Sequence, residues 1–233
     1  NEAHKKGWCI CFVLRDPDDC VTNLIREAGH EVRILTTTNV QQTIKAKRLS
    51  HDDWLPVYQE VDASETLEII SDFKPDWIVV DHYALDATWH DAVKPNFGKI
   101  MVIDDLGDRR LICDVLLDQN LGTSKKKYDG KVSINCDQLF GPRYALLREE
   151  FRNWRGHSLQ RRATRSLEQI LITMGGVDGS NFSLRILTEL VKSKNSKHCN
   201  FNIVVGPLYP HIKKLRQFID TSERKISILS NVN

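Results

Sequence analysis

The sequence contains no uninterrupted apolar run approaching the roughly 18 residues a membrane-crossing helix requires. Its longest runs, such as Trp77–Val80, have the length of a strand. It also carries little net charge, since 33 Lys and Arg against 31 Asp and Glu leave +2. Near-neutrality argues against nucleic acid or an anionic membrane as the main partner. Residues 1–7 lack the charged start, apolar middle and small-residue cleavage site of a secretory signal. No CxxC pair and no paired histidine spacing accompany the six cysteines, at 9, 11, 20, 113, 136 and 199, which excludes a zinc framework. Cys9 and Cys11 lie two apart on an expected strand and so face one side, which predicts buried, reduced thiols in a cytoplasmic protein. Neither GxGxxG nor GxxxxGK[ST] occurs, so nicotinamide cofactors and nucleoside-triphosphate hydrolysis find no support. Residue 1 is Asn rather than Met, and the chain is expected to be processed or a piece of something longer.

What is present is ordinary globular composition: 233 residues, 41% hydrophobic and 27% charged. Such a chain folds by burial, and at about 150 residues per domain it makes one large domain or two small ones. Residues 8–14 read as an apolar strand. Val21, Leu24, Ile25 and Ala28 then carry an amphipathic helical stripe that Gly29 stops, and a strand, Glu31–Leu35, begins at once. Residues 36–56 are polar and basic without a clean period and predict an excursion loop. Asp62 and Glu65 have capping-box spacing, with Ala63, Leu67, Ile70 and Phe73 on one face behind them. Lys74-Pro75-Asp76 breaks that helix. Trp77–Val80 follows as a buried parallel strand ending in Asp81-His82-Tyr83. A helix over 86–93, a strand Lys99–Ile103 ending in Asp104-Asp105, and a strand over 114–117 ending in Asp118-Gln119-Asn120 repeat the pattern.

A charged stretch from Arg148 to Arg165 marks a lobe boundary. Beyond it the alternation restarts, with strands over 169–174, 201–205 and 225–229 and helices over 181–192 and 210–219. The fold expected is α/β, with two Rossmann-like lobes of parallel strands flanked by helices: residues 1–147, a linker over 148–165, and residues 166–233. The second lobe stops at Asn231-Val232-Asn233, where another helix is expected.

In open parallel sheets, ligands sit beyond the carboxyl ends of the strands. Asp81-His82-Tyr83 there offers a carboxylate, an imidazole and a phenol, able to orient a water or a sugar hydroxyl. Alternation sends Asp81 and Tyr83 to one side and His82 to the other. Met174-Gly175-Gly176-Val177-Asp178-Gly179-Ser180-Asn181 is a glycine-rich strand-to-helix turn, whose close backbone and helix-start N–H groups suit a diphosphate. Its alternative role is a tight connection. Asp104-Asp105 reads as a metal site or a pair of caps, with no third carboxylate at a motif spacing to favour metal. Lys125-Lys126-Lys127 reads as a solvated loop face. Residues 141–148 combine Gly141, Pro142, Arg143, Tyr144 and Arg148, suited either to touching an anionic ligand or to lobe packing.

Together these segments resemble the UDP-sugar hydrolases of pseudaminic acid biosynthesis and the spore-coat polysaccharide proteins of that family, from about Gly7 to the last residue. The resemblance rests on Gln59-Glu60-Val61-Asp62-Ala63, on the run 76–86 around Asp81-His82-Tyr83, and on Ile103-Asp104-Asp105-Leu106. It continues through residues 114–120, 141–148 and Met174-Gly175-Gly176 with Asp178. It implies the two-lobed glycosyltransferase-B fold, with both lobes truncated. The implied reaction is displacement of UDP by water from UDP-2,4-diacetamido-2,4,6-trideoxy-β-L-altropyranose, with inversion at the anomeric carbon, by a monomer needing neither metal nor cofactor. Tyr83 then corresponds to a residue holding the attacking water. Asp81, His82, Asp105, Asn120, Arg143, Tyr144, Arg148, Gly175, Gly176, Asp178 and Asn181 are the expected substrate-binding residues. The family's base is a histidine in a GHxxR segment that this sequence lacks, and His4 does not occupy its place. The family's second, serine- and glycine-rich turn, which grips the nucleotide, is also missing. A glycosyltransferase on the same fold and a non-catalytic sugar-nucleotide-binding module are the competing readings.

Overall fold

The structure, a computed structural model, describes residues 2–37, 49–96, 98–164 and 166–230. The middle of the expected excursion and the closing Asn231-Val232-Asn233 lie outside them. The chain divides into two compact units, Asn1–Leu146 and Leu147–Asn233.

The first unit opens with a short helix, α1 (Glu2–Lys5), strand β1 (Cys11–Arg15), helix α2 (Asp19–Glu27) and strand β2 (Glu31–Leu35). β1 and β2 pair in parallel, Cys11 opposite Glu31 and Arg15 opposite Leu35. Asp18 caps α2 by accepting from the Cys20 N–H at 2.7 Å. Gly29 stops the helix at φ +82°, as its sequence position predicts. The first strand starts later than residue 8, because the chain still turns at Gly7 (φ +68°). Cys9 is therefore exposed, as is Cys20, and Cys11 is half-buried rather than part of a core. The thiol expectation holds for Cys113, Cys136 and Cys199, which are buried and free.

Helix α3 (Gln59–Ile69), strand β3 (Trp77–Val80), helix α4 (Ala87–Val93) and strands β4 (Lys99–Ile103), β5 (Val115–Asp118) and β6 (Asp137–Phe140) complete the unit. The four strands form a separate parallel sheet in the order β3-β4-β5-β6. The Asp62–Glu65 spacing does not start α3, which begins a turn earlier after Tyr58. Asp62 instead belongs to the buried face with Ala63 and Thr66. Its carboxylate accepts from Arg15 Nε at 2.7 Å and from Trp89 Nε1 at 2.8 Å, joining α3 to β1 and α4. Asp86 does cap α4, accepting from the Thr88 N–H at 2.8 Å. Ala63, Val80, Trp89, Val93, Ile100, Val102, Leu111 and Leu116 pack as one core under the sheet. Each fully buried aliphatic side chain there contributes about 1.5–3 kcal/mol.

The second unit contains α5 (Glu149–Thr164), β7 (Gln169–Thr173), α6 (Phe182–Lys192), β8 (Asn200–Val205), α7 (Ile212–Asp220) and β9 (Ile226–Ser230). Its strands make one parallel sheet, β7-β8-β9. Ile172, Leu187, Phe201, Ile203, Val205 and Leu215 form its core. The charged stretch expected as a linker is the helix α5. Among the described residues no helix is long and apolar enough to cross a membrane.

Candidate functional site

Because β3, β4 and β5 run parallel, the polar residues that end each of them arrive at one edge of the sheet. They frame a cleft of about 160 Å³ lined by Asp81, Tyr83, Asp104, Asp105 and Asn120, with Ile103, Leu117, Gln119 and Leu146. The Tyr83 hydroxyl donates to Asp105 Oδ1 at 2.5 Å, and Asn120 Nδ2 donates to Asp105 Oδ2 at 2.9 Å. That bond to Asp105, aided by burial and the charge of Asp105, pushes the phenol of Tyr83 up to about 12. His82 stands apart from the lining, as alternation predicts. Its Nδ1 accepts from the Ala84 N–H at 3.2 Å, and burial pushes its pKa down.

Beneath the cleft lies a charged layer that sequence reading missed. Asp104 is 1% exposed and Arg109 4%. Arg109 Nη1 donates to Asp104 Oδ1 at 2.7 Å, and the Gly107 N–H donates to Oδ2 at 2.8 Å. The Tyr128 hydroxyl lies 3.1 Å from Asp104 Oδ2 and 3.0 Å from Asp118 Oδ2, and burial followed by the charge of Asp104 drives its pKa up. Lys127 is not part of a solvated face: its Nζ donates to Asp118 Oδ2 at 2.9 Å and to the Asp105 carbonyl at 2.6 Å. Asp118 Oδ1 accepts from the Asn120 N–H at 3.0 Å, which fixes the turn that carries Asn120. Burial alone raises the pKa of Asp118, but the bonds from Lys127 and Asn120 outweigh it and hold the carboxyl below its ordinary value. Asp104 is thus spent on Arg109, Gly107 and Tyr128 rather than on a metal or a helix cap. Among the described residues no cluster of three metal-ligating side chains is gathered. Only the acid-amide-rich ends of neighbouring strands hinted at this layer; Arg109 reaches it from a loop, and Lys127 and Tyr128 from a short 3-10 helix, Lys125–Tyr128.

A second omission is aromatic. The rings of His51 and Trp54 pack on Tyr83, with centroids 5.1 and 5.6 Å from it and 4.8 Å from each other. Trp54 is 59% exposed and is not among the residues that line the cleft. Arg143 and Tyr144 sit in a short 3-10 turn after Gly141 (φ +90°), the guanidinium 4.6 Å over the Tyr144 ring, and neither lines the cleft. Arg148 belongs to the second unit, where its guanidinium lies 5.5 Å over Phe151.

In the second unit the glycine-rich turn follows β7. Gly175 (φ +77°), Asp178 (φ +42°) and Asn181 (φ +57°) all adopt the left-handed region. The carboxylate of Asp178 accepts from the N–H groups of Phe182 and Ser183, each at 2.8 Å. Burial opposes this charge, yet the Ser183 and Phe182 bonds win and lower the pKa of Asp178. Two helix-start N–H groups that the sequence offered to a diphosphate are therefore taken by Asp178. Asn181 Oδ1 accepts from the Tyr209 hydroxyl at 2.6 Å, and His211 Nε2 lies 2.8 Å from the Gly179 carbonyl. Gly175 and Gly176 remain exposed.

Parallel sheets flanked by helices, with a polar cleft at the strand ends of the first unit, are consistent with a Rossmann-like α/β protein. No protein-family model matches the chain. It is 31% identical, over 166 residues, to UDP-2,4-diacetamido-2,4,6-trideoxy-beta-L-altropyranose hydrolase of Campylobacter jejuni, a match covering 70% of this chain and 57% of that protein. It is 25% identical over 177 residues to an uncharacterised protein of Methanocaldococcus jannaschii, covering 74% of this chain and 36% of the relative. The chain thus spans little more than half, or less, of the curated relatives it matches, and is a distant relative of a UDP-sugar hydrolase.

Proposed function

We propose that the protein hydrolyses a UDP-linked deoxyamino sugar, of the kind named for its Campylobacter relative, releasing UDP and the free sugar. The two units serve in this reading as lobes of a glycosyltransferase-B fold. The observation that carries it is the bond of Tyr83 to Asp105, itself held by Asn120, at the strand ends, together with the 31% identity to that hydrolase. A phenol held in one orientation positions a water, and positioning accounts for much of the rate of a displacement whose leaving group is already a good one. Gly175 and Gly176 are the proposed contacts for the diphosphate, since Asp178 occupies the N–H groups of Phe182 and Ser183.

The test uses protein expressed from the complete gene, incubated with UDP-2,4-diacetamido-2,4,6-trideoxy-β-L-altropyranose and no acceptor. Release of UDP and free sugar is expected. Tyr83→Phe lowers kcat at least about tenfold, the loss of about 1.4 kcal/mol of transition-state stabilisation, and lowers the melting temperature far less in proportion. Strict dependence on an added acceptor would replace hydrolysis by glycosyl transfer, and unchanged turnover would remove Tyr83 from the mechanism.

A further inference from the structure

The cleft of the first unit is unusually one-sided in its chemistry. Among the described residues three carboxylates line it, from Asp81, Asp104 and Asp105, and no lysine or arginine does. Asp104 is neutralised from below by Arg109. Asp81 and Asp105 have no ion-pair partner among the described residues. A phosphate placed here would meet uncompensated negative charge at short range.

Tyr83 has one proton to give and two lone pairs to offer. The proton is committed to Asp105 Oδ1, at 2.5 Å. The other oxygen of Asp105 is held by Asn120 Nδ2 at 2.9 Å, so the carboxylate cannot turn away without losing a bond on each side. Lys127 anchors the same residue through its carbonyl. The ring itself is fixed by the rings of His51 and Trp54 and by the Arg109 guanidinium 5.9 Å from its centroid. We infer that the Tyr83 oxygen faces the cleft solely as a hydrogen-bond acceptor, with Asp105 as the positioning residue that sets this polarity. The cleft face at Tyr83 is therefore built for a neutral donor, a water, a sugar hydroxyl or an amide N–H. This rests on the proposed function and deepens it by saying which side of a hydrogen bond Tyr83 presents to the water or sugar.

The experiment places 3-fluorotyrosine at position 83 of this chain and follows the fluorine resonance, a readout that requires no hydrolysis. Since the bond to Asp105 pushes the phenol up to about 12, the probe should titrate well above free fluorotyrosine. Asp105→Ala should remove most of that shift, Asp105→Asn, which keeps an acceptor without the charge, part of it, and Asn120→Ala should broaden or move the resonance. Among the described residues the groups facing the phenol are Asp81, Asp104, Asp105, His51 and Arg109, so Asp81→Asn is the control and should leave most of the shift. Added N-acetylglucosamine should move the resonance, whereas inorganic pyrophosphate should not. A wild-type phenol titrating with free fluorotyrosine, a shift that survives Asp105→Ala in a folded variant, or a response to pyrophosphate instead of the sugar would each overturn the inference. Failure to hydrolyse the UDP-sugar would refute the proposed function and leave the polarity of Tyr83 standing.

Discussion

Replacing Arg109 by Met tests whether the charged layer beneath the cleft is as dry as its geometry indicates. The methionine keeps much of the apolar stem and removes the guanidinium. The side chains of Arg109 and Asp104 are 1% and 0% exposed. Loss of the cation leaves Asp104 as a buried anion supported by Gly107 and Tyr128, and strips the Leu85 carbonyl of its donor, 2.8 Å away. Breaking a buried pair from one side costs about 3–5 kcal/mol, far more than the pair itself contributes. For a domain of this size that corresponds to a fall in melting temperature of roughly 6–20 °C. Asp104→Asn combined with Arg109→Met restores part of the loss, because no unpaired charge remains, and the double-mutant cycle should show coupling above about 1 kcal/mol. Thermal and urea unfolding of the four proteins provide the measurement. A loss below about 1 kcal/mol for Arg109→Met would mean that water reaches Asp104, and the dry layer would have to be abandoned.

His90 is fully buried with Nε2 unpartnered, and burial, reinforced by Arg109, lowers its pKa from 6.5 to about 4. The unfolded chain takes up that proton first, so stability is complete above pH 6.5 and falls toward pH 4 by about 3 kcal/mol, a slope that His90→Gln should remove; an equally steep fall in the variant would assign it elsewhere. In the second unit a Cβ on Gly206 would sit 2.1 Å from the Gly176 carbonyl oxygen, whereas one on Gly176 meets nothing within 4 Å. Gly206→Ala should therefore cost about 1–3 kcal/mol while Gly176→Ala costs little, as circular dichroism melts would report; equal losses would contradict the close approach of the two turns. The Cys113 and Cys136 sulfurs lie 3.5 Å apart in the core, and that contact, with burial, holds Cys113 as a thiol. An alkylating agent should modify Cys9 and Cys20 in seconds to minutes and Cys113 only on unfolding, so native-state labelling of Cys113 at the rate of Cys20 would show an open core.

Much of the fold was legible because the signals are local. Alternating apolar strands and helical stripes, stopped by Gly29 or begun by Asp86, need only neighbours in the chain to be read. Asp81, Tyr83, Asp105 and Asn120 were legible as a group because parallel strands deliver their ends to one place. Misreadings came where a side chain serves a distant partner. Asp62 has the spacing of a cap and is instead a buried acceptor for Arg15 and Trp89, 47 and 27 residues away in sequence. Lys127, in a run of three lysines, turns inward to Asp118.

The sequence by itself determined the α/β class, the parallel strands and the polar residues at their carboxyl ends, since periodicity and turn chemistry act over a few residues. Only the tertiary structure decided what those residues do. It spent Asp104 on Arg109, closed the start of α6 with Asp178, set His51 and Trp54 against Tyr83, and committed the proton of Tyr83 to Asp105. Hydrogen-bond polarity depends on which partner stands within about 3 Å, and that distance is fixed by packing between segments remote in the chain.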